Sequence, residues 1–216
     1  MRKNYLIHSL IILILFSIST YAGPINNLRC EYLISPIGID ETEPRFTWEL
    51  NDKISEQIAF QINVSTSPEL LKMGKADMWR SVWMKNNQTS VVYQGKKLLP
   101  HTRYYFKVSV KASNRKEIIH SETETFETAK INASDWNAVW ITDDNDKDFE
   151  PAPLFRKNFD VPARVKEARV YISGLGYYEL FLNGVRVGKN YLDPGYTHFD
   201  KRVLYSTYDI TGLLKK

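Results

Sequence analysis

Glu179, Asp193 and Asp200 are the carboxylates that qualify by type as candidates for general acid–base catalysis. Two of them also have a structural assignment. Glu179 alternates with Tyr178 and Leu180, which turns it outward from a strand, and Asp193 stands in a turn before Pro194, where its side chain can cap backbone N–H groups. His101 has the chemistry of a base but occupies a turn position with no nucleophile signature beside it. No catalytic residue is assigned on these grounds. Asp143, Asp144, Asp146, Asp148 and Glu150 supply hard oxygen ligands of the kind Ca²⁺ takes, yet they lack the Gly and terminal Glu spacing of an EF-hand loop. They read as a solvated loop, and neither a metal site nor a cofactor is expected.

The elements that must position these residues are short. From Leu28 to Thr128, apolar and polar residues alternate in runs broken by Pro, Gly and Asn, the pattern of a β-sandwich, and only Pro68 to Met78 has room for a helical turn or two. Phe46, Trp48 and Leu50 share one strand face, as do Phe60, Ile62 and Val64; both faces should point inward. In the run Leu99 to Val108, Tyr104, Phe106 and Val108 share a face. This run resembles the tyrosine corner of fibronectin type III domains, in which the tyrosine hydroxyl closes onto upstream backbone. Ser121 and Phe126-Glu127-Thr128 suit the last strand of such a domain.

After a junction at Ser134 to Thr142 and the acidic stretch, strands are expected at Phe155 to Phe159, Ala168 to Ser173, Tyr178 to Leu182 and Val203 to Tyr208. Asn183-Gly184 is a strong hairpin signal, because both central residues of a type I′ turn need positive φ, so Val185 to Val187 should pair back on Leu180 to Leu182. The fold class is therefore all-β. Two consecutive β-sandwiches are expected, an immunoglobulin- or fibronectin type III-like domain over 23–130 and, after a linker over 131–153, an incomplete jelly-roll-like domain over 154–216. About five strands are recognisable in the second, where a jelly roll needs about eight.

Residues 1–22 carry Arg2 and Lys3, an apolar run from Leu10 to Phe16 and small residues up to Ala22, the layout of a secretory signal peptide. The apolar run is shorter than the roughly 20 residues a transmembrane helix needs, so no membrane association is expected after cleavage. The formal net charge of +4 includes Arg2 and Lys3, and no Lys/Arg stripe of the kind a phosphate backbone demands is present, which argues against nucleic acid. Cys30 is the one cysteine among 216 residues; it excludes a disulfide framework and reads as a buried strand residue. Export without disulfides points to a periplasmic or extracellular bacterial protein.

Several longer motifs go beyond periodicity. Leu28-Arg29-Cys30-Glu31-Tyr32-Leu33, Pro36-Ile37-Gly38-Ile39-Asp40 and Pro44-Arg45-Phe46-Thr47-Trp48 resemble the opening of bacterial α-L-rhamnosidases. Gly174-Leu175-Gly176-Tyr177-Tyr178-Glu179, Leu182-Asn183-Gly184, Leu192-Asp193-Pro194-Gly195-Tyr196-Thr197 and Tyr205-Ser206-Thr207-Tyr208-Asp209-Ile210-Thr211 resemble their next domain. Tyr196 departs from the tryptophan more usual at that position. The resemblance implies hydrolysis of terminal α-L-rhamnose from glycosides or pectic polysaccharides with inversion, by acid and base carboxylates that belong to a later α-helical barrel. No stretch of this sequence has the length or 3.6 period of such a barrel.

On this reading the chain is an N-terminal accessory fragment, inactive by itself. Its partners would be a rhamnose-containing glycan and the catalytic domain of the same enzyme. A carbohydrate-binding module and a cell-surface adhesion protein are the alternatives. More than half of the 13 tyrosines follow residue 170, and aromatic faces can stack on the C–H surface of a pyranose. Tyr177 and Tyr196 lie in turns, where core packing claims them least, and with Asp193 they are the expected carbohydrate contacts.

Overall fold

A computed structural model describes residues 23–143, 152–161 and 164–215. The expected signal peptide and Asp144 to Glu150 lie outside the described residues. No helix among the described residues is long and apolar enough to cross a membrane.

The protein is all-β, and its first unit is an immunoglobulin-like sandwich. One sheet pairs β1 (Ile25–Cys30), β3 (Arg45–Leu50) and β6 (Ser90–Val92). The other runs in the order β2 (Ile37–Ile39), β9 (Glu124–Thr128), β7 (Arg103–Ala112), β4 (Gln57–Ser65) and β5 (Trp79–Arg80), with β8 (Ile119–His120) also on β7. The alternating strands place Phe46 and Trp48 from one sheet against Phe60, Ile62, Phe106, Val108 and Phe126 from the other. The Phe46 ring lies 4.6 Å from Phe106 and 5.4 Å from Phe126. Full burial of each such side chain contributes about 1.5–3 kcal/mol, and that makes the sandwich interior the main source of stability. Cys30 is fully buried in β1, as its place in the alternation requires. A short helix, α1 (Pro68–Lys72), opens at Ser67, whose side chain accepts hydrogen bonds from the N–H groups of Glu69 and Leu70.

Tyr104 closes the expected corner: its ring is fully buried and its hydroxyl accepts a hydrogen bond from Leu99 N at 2.8 Å, five residues upstream. The Leu99 N–H, which no strand partner reaches, is thereby satisfied.

The second unit contains β10 (Arg169–Ser173) paired antiparallel with β13 (Tyr205–Asp209), and the hairpin of β11 (Phe181–Leu182) and β12 (Val185–Arg186). Asn183 and Gly184 both adopt positive φ, at 52° and 81°, and Val187 N donates to Leu180 O at 2.8 Å, so the hairpin has the expected turn and register. Two expectations fail here. Phe155 to Phe159 forms no strand: Leu154, Phe155 and Phe159 are half to fully exposed, and no strand among the described residues pairs with the segment. Tyr178 to Leu182 is ladder-paired only at Phe181 and Leu182, because Tyr178 is taken by an isolated bridge to Asp193.

The two units share a dense junction. The buried Glu127, on β9, receives Arg169 Nε at 2.7 Å, Arg169 Nη2 at 2.8 Å and Arg103 Nη2 at 3.1 Å. Arg103 and Arg169 in turn reach Glu167, and Arg169 also reaches Asp209 at 3.1 Å. His101, with φ 51°, places Nδ1 2.9 Å from the Tyr171 hydroxyl. Gly38, with φ 88°, allows β13 to approach so closely that a Cβ there would lie 2.5 Å from Thr207 Oγ1.

Candidate functional site

The three carboxylates singled out by sequence do not converge. Glu179 pairs with Arg186 at 3.4 Å on the hairpin, and Asp200 pairs with His198 at 2.9 Å on an exposed loop. Asp193 belongs to a third arrangement. His101 is part of the junction, with its backbone N–H donating to Ala129 O at 3.1 Å and its ring engaged by Tyr171.

Tyr177, Asp193 and Tyr196 do come together. The backbone of Tyr178 donates to Asp193 O at 3.0 Å, and this bridge draws the turn that follows β10 against the Asp193-Pro194-Gly195 turn. The Tyr177 and Tyr196 rings then lie 6.3 Å apart, tilted by 54°, with both side chains more than half exposed. Phe199, half-buried, extends the patch with its ring 4.8 Å from Tyr196. Sequence reasoning did not single out Phe199; its position three residues after Tyr196 in a polar loop was the available signal.

The Asp193 side chain does not cap backbone N–H groups, as its turn position suggested. Its Oδ2 accepts hydrogen bonds from the Tyr208 hydroxyl and from Asn190 Nδ2, the latter at 3.2 Å, and Oδ1 has no hydrogen bond among the described residues. The Tyr208 hydroxyl is also 3.2 Å from that of Tyr178. Burial, and then the hydrogen bond to Asp193, push the Tyr208 phenol well above its ordinary range, so it stays protonated and donates to the carboxylate. Tyr178 must then be the donor to Tyr208, which completes a directed chain from Tyr178 through Tyr208 to Asp193. Gly188 makes room for it, since a Cβ at that position would lie 2.5 Å from Tyr208 Cε1.

Chemically, this is a half-exposed carboxylate held in one orientation beside exposed aromatic faces. Such a set accepts hydroxyl protons and stacks on apolar surfaces. Among the described residues no three His, Cys, Asp or Glu side chains group as a metal site would require.

The architecture defines a class of protein, a tandem of β-modules with an immunoglobulin-like domain in front. Residues 25–132 match the family described as "Rha78A-like, N-terminal immunoglobulin domain", and residues 163–216 match the "Alpha-L-rhamnosidase N-terminal domain". The chain belongs to the family of Rha78A-like N-terminal immunoglobulin domains, continued by the α-L-rhamnosidase N-terminal domain. An α-L-rhamnosidase of Formosa agariphila is 32% identical over 99% of this chain and 26% of its own length, and one of an Alteromonas species is 33% identical over 86% of this chain and 22% of its own. The solved α-L-rhamnosidase of Dictyoglumus thermophilum superposes with a TM-score of 0.81 at 36% identity, covering 91% of this chain and 24% of that one. The chain thus spans about a quarter of the length of the relatives it matches.

Proposed function

We propose that this chain acts as the N-terminal, non-catalytic portion of an α-L-rhamnosidase that removes terminal α-L-rhamnose from glycosides or pectic polysaccharides. The observation that carries this reading is the ordered pair of matches at 25–132 and 163–216, joined by the ion-paired junction around Glu127. In this role the two units form a platform for a catalytic domain of the same enzyme. The signal-like residues 1–22 support export to the periplasm or the extracellular space. The test is release of p-nitrophenol from an α-L-rhamnoside. The chain by itself should match a heat-killed control, whereas the same sequence continued into a catalytic helical region should turn over. Hydrolysis by the chain by itself would overturn the reading.

A second reading concerns the glycan and rests on the meeting of Tyr177, Asp193 and Tyr196 on one exposed surface. These residues would contact the rhamnose-containing substrate without cleaving it. Tyr177→Ala and Tyr196→Ala should each weaken sugar binding; folded variants that bind as well as the parent would remove the residues from that role.

A further inference from the structure

We propose that Tyr208 is the positioning residue of this surface, fixing Asp193 so that Oδ1 accepts a hydroxyl of a neutral pyranose stacked on Tyr177 and Tyr196. The inference rests on the second reading above and adds to it the residue that orients the acceptor.

Three features of the structure lead there. First, one oxygen of Asp193 is held by two donors on different elements, Tyr208 on β13 and Asn190 after β12, while the other has no partner among the described residues. A carboxylate held in this way presents a fixed acceptor rather than a rotating one, and less side-chain freedom is lost when a ligand arrives. Second, the donor chain from Tyr178 through Tyr208 ends at the carboxylate, so Asp193 acts as acceptor only. Third, Asp193 sets a carboxylate beside the rings, and Arg186 of the adjoining hairpin is already engaged by Glu179, by the carbonyl oxygens of Gly188 and Asn190, and by the Tyr191 ring 4.7 Å away. A sugar bearing a carboxylate would meet Asp193 as a like charge, whereas a neutral sugar would find an acceptor for a hydroxyl and flat faces for its C–H surface.

The experiment is an NMR titration of the full chain with methyl α-L-rhamnopyranoside and, separately, with galacturonate. Binding of the rhamnoside should perturb Tyr177, Tyr196 and Phe199, and galacturonate should bind at least about fivefold more weakly, as repulsion at a partly screened distance predicts. Tyr208→Phe keeps the ring and removes the donor; it should weaken rhamnoside binding by about three- to tenfold, the range for one oriented hydrogen bond. Asp193→Ala should weaken it similarly, and the double variant should bind no worse than Asp193→Ala, because Tyr208 acts through that carboxylate. A purely structural role for Tyr208 would give additive losses instead. Should Tyr208→Phe unfold the unit, Asn190→Ala tests the same orientation from an exposed position and should also weaken binding.

The possible failures are distinguishable. If Tyr177→Ala weakens binding while Tyr208→Phe and Asn190→Ala do not, the positioning role is wrong and the surface stands. If galacturonate binds as tightly as the rhamnoside, the choice of a neutral sugar is wrong. No rhamnoside binding by the parent chain would overturn the surface reading and this inference together.

Discussion

Arg169 delivers two parallel hydrogen bonds to the carboxylate of Glu127, 42 residues earlier in the chain, at 2.7 and 2.8 Å. The pair joins the last strand of the first sandwich to the first strand of the second unit, and both side chains are more than nine-tenths buried. Bidentate geometry makes it one of the stronger polar contacts available to a protein, and removing Glu127 leaves Arg169 buried with Glu167 and Asp209 alone to offset its charge.

Glu127→Ala should therefore destabilise the protein by about 3 kcal/mol, the scale for breaking a buried pair. The loss should fall on the junction. Equilibrium denaturation should report the energy, and limited proteolysis should cut faster between Thr128 and Arg169. Unchanged melting together with an unchanged digestion pattern would mean that the pair couples nothing.

Gly38→Ala should cost about 2–3 kcal/mol, because it combines an unfavourable φ with a Cβ that would meet Thr207. Gly74→Ala is the control: its φ of 70° carries the same kind of strain, but nothing lies within 4 Å of its Cβ, so about 1 kcal/mol is expected. Adding Thr207→Ala to the Gly38 variant should restore part of the difference. Equal losses at the two glycines would show that the close approach of β13 adds no energy of its own.

Tyr104→Phe should lower stability by about 1–3 kcal/mol while keeping the ring packing, since the Leu99 N–H loses its acceptor. Urea denaturation is the measurement. A variant as stable as the parent would mean that water replaces the hydroxyl at no cost.

The pH dependence has a definite sign at Asp77. Burial pushes this carboxyl up, but hydrogen bonds from Thr66 and Ser65 outweigh it and hold the group below its ordinary value of 3.8. A carboxyl depressed in the folded state contributes stability that is present above its unfolded value and is lost as pH falls through its folded one. Asp77→Ala should thus cost about 1–2 kcal/mol near neutrality, and the gap between variant and parent should narrow in melts taken at successively lower pH below 3.8. A gap of constant size across that window would assign the loss to packing instead.

How far the sequence announces the structure depends on how local each interaction is. Tyr104 and Leu99 are five residues apart, and Asn183-Gly184 is a self-contained turn, so both could be read from neighbouring residues. Phe155 to Phe159 has a strand-like composition but gains no ladder, because composition does not supply a partner. The Glu127–Arg169 pair and the Tyr208–Asp193 contact join residues that no spacing rule connects. For the same reason the candidate surface was only partly legible. The turn positions of Tyr177 and Tyr196 marked them out, whereas the hydroxyl that orients Asp193 comes from Tyr208 on a strand 15 residues further on, which nothing local connects to that turn.

Cys30, sealed inside β1, gives the first sandwich a chemical clock. Burial, and then the neighbouring Glu31 charge, push its thiol far above the ordinary range, so almost no thiolate exists in the folded state and alkylating reagents find no nucleophile. The thiol is unmasked only when β1 leaves its sheet, and no second cysteine competes for the label. Where alkylation outpaces reclosing its rate counts openings of that sheet, and where it is slower the rate reports how much of the time the sheet is open. Because the clock sits in one unit and half of the ionic joint in the other, its pace in Arg169 variants would register how firmly the second unit holds the first sandwich shut.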